Sequence, residues 1–272
     1  MSPLGFVLAG TLAAAISFAN SALAQGRIAC GEGMVQRPQP LAQRAALDAD
    51  RVPIRFIGHA TFLIRSPQGV KVITDYNDYY RADVLPDIAT MNSNRGNHRT
   101  YNIEPQVAHA LYGFDRGDGI ARHDVTFKDV RVYSEPTNIF PYGQRYTNQT
   151  AIFVIQVGGL CIAHFGHTGH VLDDETARKL GQIDIVLTPV DRTVTQSYEE
   201  LFHNIRVLRA RVVIPMHDIG WTIEQFLTVA NAQFPIRRGL GDTIEVSRDM
   251  LPRETEIWVL QPGGGRGTRG TY

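Results

Sequence analysis

From Thr150 to Gly166 the chain reads TAIFVIQVGGLCIAHFG. Two apolar runs flank Gly158-Gly159, and a Gly-Gly pair between such runs supplies the positive φ values of a tight hairpin turn. The segment therefore predicts two adjacent antiparallel strands, and its surroundings say what they belong to. Upstream, VPIRFIGHATFLIRS and GVKVITDYN give three short segments of period-two character. Gly58-His59 and Pro67-Gln68-Gly69 separate them, which predicts an antiparallel meander. HDVTFKDVRVYSE alternates in the same way. IEPQVAHALYG, with Pro105 early and Gly113 just beyond, carries the end signals of a short helix.

Downstream of the hairpin the rhythm changes. Asp173 and Asp174 are placed to cap a helix through Leu180, closed by Gly181. Ser197-x-x-Glu200 is a capping box opening a helix to about Leu208, and Thr222-x-x-Gln225 predicts a further helix. Between them, IDIVLTPV and RVVIPMHD read as buried strands, and TEIWVLQP closes the pattern. A strand-rich first half followed by strand–helix alternation predicts an α/β fold, with sheets inside and helices outside.

The ends of the chain differ from this body. The first 24 residues carry no charge and end Ala22-Leu23-Ala24. That reads as a secretory signal with the mature chain starting at Gln25, or as an uncleaved anchor, since no Lys or Arg precedes the apolar core. An extended arm follows at 25–50, then one domain at 51–262 and a Gly-rich flexible tail at 263–272. The expected location is exported, periplasmic or extracellular. There, Cys30 and Cys161 could pair or remain thiols. With 27 basic and 27 acidic residues, the balance gives no electrostatic case for a nucleic-acid partner or an acidic membrane surface. The expected partner is a small molecule, with no membrane contact after signal cleavage.

The chain has nine histidines, and several fall where strands run into loops, the usual place for functional side chains. His59 follows the first strand, and His98 lies in NSNRGNHRT. His164, His167 and His170 follow the hairpin, and His217 ends VVIPMH. His109, His123 and His203 sit elsewhere and read as surface or packing residues.

These segments resemble a known family. IRFIGHATFLI…VITD, GGLCIAHFGHTGH and VVIPMHD occur here in the order and spacing of the metallo-β-lactamase superfamily, nearest its ascorbate-6-phosphate lactonase-like hydrolases. The resemblance runs from about Val52 to Trp258. It implies a four-layered αβ/βα sandwich with a metal site at the shared edge of two sheets.

The metal motifs themselves are altered. Where the family carries H-x-H-x-D-H, this chain has Ser93-Asn94-Arg95-Gly96-Asn97-His98. Where it carries H-x-G-D-x-G-H, His167 replaces the Asp, and the histidine expected between Ser134 and Asn138 is missing. One metal position loses its ligands to Ser93 and Arg95, and a guanidinium there repels a divalent ion. The other would draw on His98, His167 and His217, three imidazoles that suit zinc or another divalent metal with a fourth position open. These three are the expected metal and catalytic residues. Asn97, a poor ligand, falls beside them with His59, His164 and His170. Asp75 would orient an imidazole or cap a turn. Arg95 and Tyr76 would contact substrate, Arg95 as an anion site or as a solvated residue, with Tyr79 and Tyr80 near the same rim. The implied activity is hydrolysis by a metal-bound water, with one ion per chain, of an ester, lactone, amide or phosphodiester. The other outcome is a metal-free derivative that binds a small anion.

Overall fold

A computed structural model describes Cys30, 51–117, Gly119, 122–139 and 146–264. The expected signal, the arm apart from Cys30 and the tail beyond Gly264 lie outside these residues.

The meander forms as expected. β1 (Val52–Gly58), β2 (Thr61–Arg65) and β3 (Lys71–Ile73) pair antiparallel in sequence order. β4 (Ile88–Met91) and β5 (His109–Tyr112) then extend the sheet in parallel. The helix expected over 103–113 is thus not formed, and its last turn is strand β5. Gly113 is not a helix stop: a β-carbon there would come within 2.9 Å of the Phe153 ring and 3.0 Å of Ala151. The glycine lets the two sheets approach, and pairing with β4 outweighs local helix signals.

The second sheet begins with antiparallel β6 (Asp124–Phe127), β7 (Val130–Ile139), β8 (Tyr146–Val157) and β9 (Leu160–His164). Gly158 and Gly159 turn β8 into β9 with φ of 53° and 72°. α1 (Asp174–Leu180) has Asp173 accepting from the Thr176 amide at its start and Gly181 at its end. It leads to β10 (Ile185–Pro189), which lies parallel to β9. α2 (Tyr198–Val207) opens with the capping box of Ser197 and Glu200 and leads to β11 (Val212–Met216), parallel to β10. α3 (Thr222–Ala230) departs from expectation, because Thr222 lies inside the helix and Trp221 occupies the cap without a side-chain bond. Asp218 does the capping instead, accepting from the Ile223 amide at 3.2 Å and from the Thr222 hydroxyl at 3.0 Å. β12 (Ile236–Arg237), β13 (Thr243–Val246) and β14 (Glu256–Trp258) finish the fold. The strand orders are β13-β1-β2-β3-β4-β5 and β12-β14-β11-β10-β9-β8-β7-β6.

The continuous apolar character of β10 and β11 follows from burial on both faces. Ile185, Leu187, Val212 and Ile214 point between the sheets, where Ile54, Phe62 and Phe153 meet them. Val186 and Val213 point the other way, onto Leu201, Ile205 and Phe226 of the helices. The outer face of the first sheet is covered differently. There Ile57, Leu63, Ile73 and Met91 pack under Tyr76, Phe114 and loop residues such as Tyr80 and Val84. The sandwich therefore has its layers, with loops instead of helices on this side among the described residues. Cys30 and Cys161 form a disulfide, with 5.9 Å between Cα atoms, which ties Cys30 to β9.

Candidate metal centre

Register brings the site together. β9, β10 and β11 are parallel neighbours, with Leu187 opposite His164 and Pro189 opposite Met216. The residues just beyond them, His167, Asp191 and His217, therefore leave the sheet at one rim. The turn after β1 and the loops after β3 and β4 bring His59, Asp75 and His98 to the same place. One backbone bond joins the two sheets there, from the His217 amide to the His59 carbonyl at 2.7 Å. His59, Asp75 and His217 have φ of 54°, 42° and 66°. Left-handed backbone at non-glycine residues costs of order 1–3 kcal/mol each and persists only where surrounding contacts enforce it.

The buried pair Asp75–His98 anchors the centre. Asp75 Oδ1 accepts from the Asn92 amide at 2.8 Å, and Oδ2 lies 2.5 Å from His98 Nδ1. Gly166 (φ 54°) makes room for this arrangement, since a β-carbon there would fall 2.1 Å from Asn92 Nδ2. With its proton on Nδ1, His98 turns the lone pair of Nε2 inward, to 3.3 Å from His217 Nε2. Behind His217, Asp191 Oδ1 lies 3.5 Å from Nδ1, at the outer limit of hydrogen bonding. Asp191 in turn accepts from the Thr195 hydroxyl at 2.5 Å, and its Oδ2 is buried without a hydrogen-bond partner.

The third imidazole differs from the one expected. Candidate ligand atoms of His59, His98 and His217 all lie within 4.8 Å of one another, and this is the group that meets that geometry among the described residues. His59 shares a 2.7 Å hydrogen bond between its Nε2 and Asn97 Nδ2, while its Nδ1 is buried without a partner. His167 joins the cluster edge-on, with ring centroids 4.6 Å from His98 and 4.9 Å from His217. His217 and His167 thus share the expected rim.

Burial sets the protonation of the cluster. It pulls His59 down to about 2, helped by His217 and His98. Burial, with neighbouring imidazoles and Arg95, also holds His98 and His167 well below the usual histidine range. Asp75 is pushed up to about 7 by burial. Burial would raise Asp191 too, but His217 and Thr195 hold it at about 2.

These residues fit a divalent cation. Two donors at about 2.0–2.1 Å from one tetrahedral zinc stand roughly 3.4 Å apart, and the His98–His217 approach is 3.3 Å. Burial keeps His59 and His98 neutral, and a neutral imidazole is the donor state a metal requires.

The remaining expected residues divide. Arg95 is exposed and pairs with no carboxylate among the described residues, yet its charge reaches His98 and His167. Tyr76 does not reach the histidine cluster's cleft: it is 1% exposed, and its hydroxyl donates to Glu104 and accepts from Arg81. Its neighbours Tyr79 and Tyr80 do line a cleft of about 990 Å³ that opens at His59. His164 bridges the sheets, with Nε2 donating to the Ala60 carbonyl at 2.8 Å. At His170 the backbone carbonyl accepts from Asn204. The spacing-three histidines therefore do separate jobs. Asp191 was missed by sequence reading. Its signal was its place just beyond the end of β10, as His217 lies just beyond the end of β11.

Known proteins resemble this chain in sequence and in fold. A relative from Pelotomaculum thermopropionicum, named a UPF0173 metal-dependent hydrolase, is 25% identical over 197 residues, 62% of this chain and 86% of its own. One of the same description from Thermococcus kodakarensis is 23% identical over 234 residues, 78% and 97% of the two chains. A solved structure from Thermotoga maritima, assigned as a zinc-dependent hydrolase of the metallo-β-lactamase superfamily, shares the fold. Its TM-score is 0.57 at 22% identity, over 77% of this chain and 98% of that one. The model of the beta-lactamase superfamily domain matches residues 53–217, from the first strand to the last histidine of the cluster. The chain belongs to the beta-lactamase superfamily domain family.

Proposed function

We propose that this chain is a metal-dependent hydrolase with one cation held by His98, His217 and His59, and with His167 packed against them. The observation that carries the reading is the 3.3 Å approach of two imidazole Nε2 atoms. Asp75 fixes the proton of one of those rings on its far nitrogen. Two such lone pairs repel one another unless a proton or a cation lies between them. The relatives named metal-dependent hydrolases support the same reading.

A bound divalent ion supplies Lewis acidity and an acidified water near neutral pH. The chain's own residues do the rest. Asp75 and Asp191 stand behind His98 and His217, where carboxylates fix ring orientation and raise ligand basicity. Asn97 orients His59. The Arg95 charge disfavours a second cation beside the first, which supports a single-ion centre. Three imidazoles favour zinc among the common divalent ions. The reactive group is a carbonyl or phosphoryl centre of an ester, lactone, amide or phosphodiester. Export is supported by the Cys30–Cys161 disulfide, since such bonds persist in oxidising compartments.

Metal analysis of the protein purified without a histidine tag, followed by calorimetric zinc titration, tests the reading. About one ion per chain, lost in His98→Ala, is expected. No uptake by the parent overturns it and leaves the metal-free, anion-binding derivative.

A further inference from the structure

The cleft beside His59 is built for a different partner from the one Arg95 alone suggests. Its volume, about 990 Å³, is at the upper end for small-molecule sites, roughly 300–1,000 Å³. Tyr80 forms its inner wall. This ring lies parallel to His59, with centroids 5.5 Å apart and planes 12° apart, and it packs on Gly58, where a β-carbon would come within 2.8 Å. Tyr79, 60% exposed, and Trp221, 77% exposed, stand nearer the solvent in the same cleft. Trp221 has φ of 71°, next to Gly220 at 59°. A left-handed backbone there disfavours residues with a β-carbon, and this one presents a large, solvent-facing indole to the cleft.

Charge narrows the ligand further. Among the described residues, no lysine or arginine lines the cleft, and its ionisable carboxylates are Asp218 and Glu224. Glu224 is neutralised by Arg238 through two bonds of 2.8 and 2.9 Å, and Asp218 is engaged in capping α3. Among the described residues that line it, no cationic side chain offsets the desolvation of a phosphate or carboxylate. Apolar side chains such as Ile223 and Leu260 complete the wall.

We propose that the cleft binds the uncharged aromatic body of a carboxylic ester, stacked on Tyr79 and Trp221, with the ester carbonyl toward His59. This rests on the hydrolase reading for the reaction but not for the binding. In that reaction the oxygen of water bonds to the acyl carbon and the acyl carbon–alkoxy bond breaks. One proton passes to the departing alcohol oxygen, and the acid ionises.

The test is calorimetric titration of the metal-free full chain with two probes sharing one ring system, uncharged 2-acetylnaphthalene and anionic 2-naphthyl phosphate. The neutral ketone is expected to bind at least about tenfold more tightly, and Trp221→Ala to weaken it by about tenfold while Trp221→Phe restores most of the loss. Trp258, the other tryptophan of the chain, is 3% exposed, so the ketone should quench fluorescence from Trp221. Equal or tighter binding of the phosphate, or no change in Trp221→Ala, overturns the proposal. Zinc uptake is measured separately, so a failed metal reading does not disguise a failed cleft reading. With metal loaded, 2-naphthyl acetate should be cleaved and 2-naphthyl phosphate should not.

Discussion

Two aspartate–histidine pairs face each other across the candidate centre, and they are built differently. Asp75 and His98 meet at 2.5 Å, both fully buried, with the Asn92 amide holding the other carboxylate oxygen. Asp191 and His217 stand 3.5 Å apart, and Asp191 leaves one oxygen unpartnered. The first pair comes from the loops of the first sheet, where most family-like ligands are replaced. The second comes from adjacent parallel strands, whose register sets its position. A site can therefore lose side chains along one rim and keep its focus, provided one histidine there is locked in place and the opposite rim is held by a sheet.

The broadest test of this contrast is acid stability of the metal-free protein. His59, His98, His164 and His167 are all depressed by burial. Their contributions are present above the unfolded histidine value, near 6.5, and are lost as pH falls. Each contributes a slope on the order of 1.4 kcal/mol per pH unit. Asp75, raised to about 7, works oppositely, because its contribution is present at low pH and fades as pH rises through 7. Denaturation between pH 7 and pH 5 should show stability falling steeply with acid. Asp75→Asn should steepen the slope, whereas Asp191→Asn should not, since Asp191 is already ionised there. Identical slopes in all three proteins would erase the distinction between the pairs.

Removing a partner altogether should separate the pairs next most strongly. Asp75→Ala strands the His98 and Asn92 donors in the interior and should cost about 3–5 kcal/mol. Asp191→Ala breaks one close hydrogen bond and one long contact and should cost about 1–3 kcal/mol. Urea melts of both variants measure the difference, and equal losses would mean the 3.5 Å contact is as strong as the short one.

Metal affinity gives a finer comparison. Asp75→Asn should weaken zinc binding by about 10–100-fold, and Asp191→Asn by less than about tenfold. Between the two competing imidazoles, His59→Ala should weaken binding more than His167→Ala, because His59 belongs to the converging nitrogen group. The reverse order in calorimetry would return His167 to the ligand set and make His59 its support.

Much of this molecule was legible in its residues, for identifiable reasons. Gly158-Gly159, the Ser197 capping box and the Asp173–Gly181 helix ends act through neighbours a few positions away, so they formed as read. The 103–113 segment failed because its partner, β4, lies elsewhere in the chain, and Gly113 serves sheet approach instead of a helix end. Tyr76 failed likewise, since its proximity to Asp75 in sequence does not say which way its ring turns. Arg81 and Glu104 decide that, together with the apolar cluster it enters.

The sandwich was implied by the family resemblance. The residues alone pointed to an α/β fold with sheets inside and helices outside, and to the placement of His59, His98, His167 and His217 at strand-to-loop junctions. Periodicity and turn chemistry are local, and that is what they encode. Which nitrogens converge was decided only by the tertiary structure. Parallel register levels β10 with β11 and so puts Asp191 behind His217, and the bond from the His217 amide to the His59 carbonyl draws the two sheets together. A metal centre depends on tenths of an ångström between groups more than a hundred residues apart, as His98 and His217 are. Distances of that kind are set by packing.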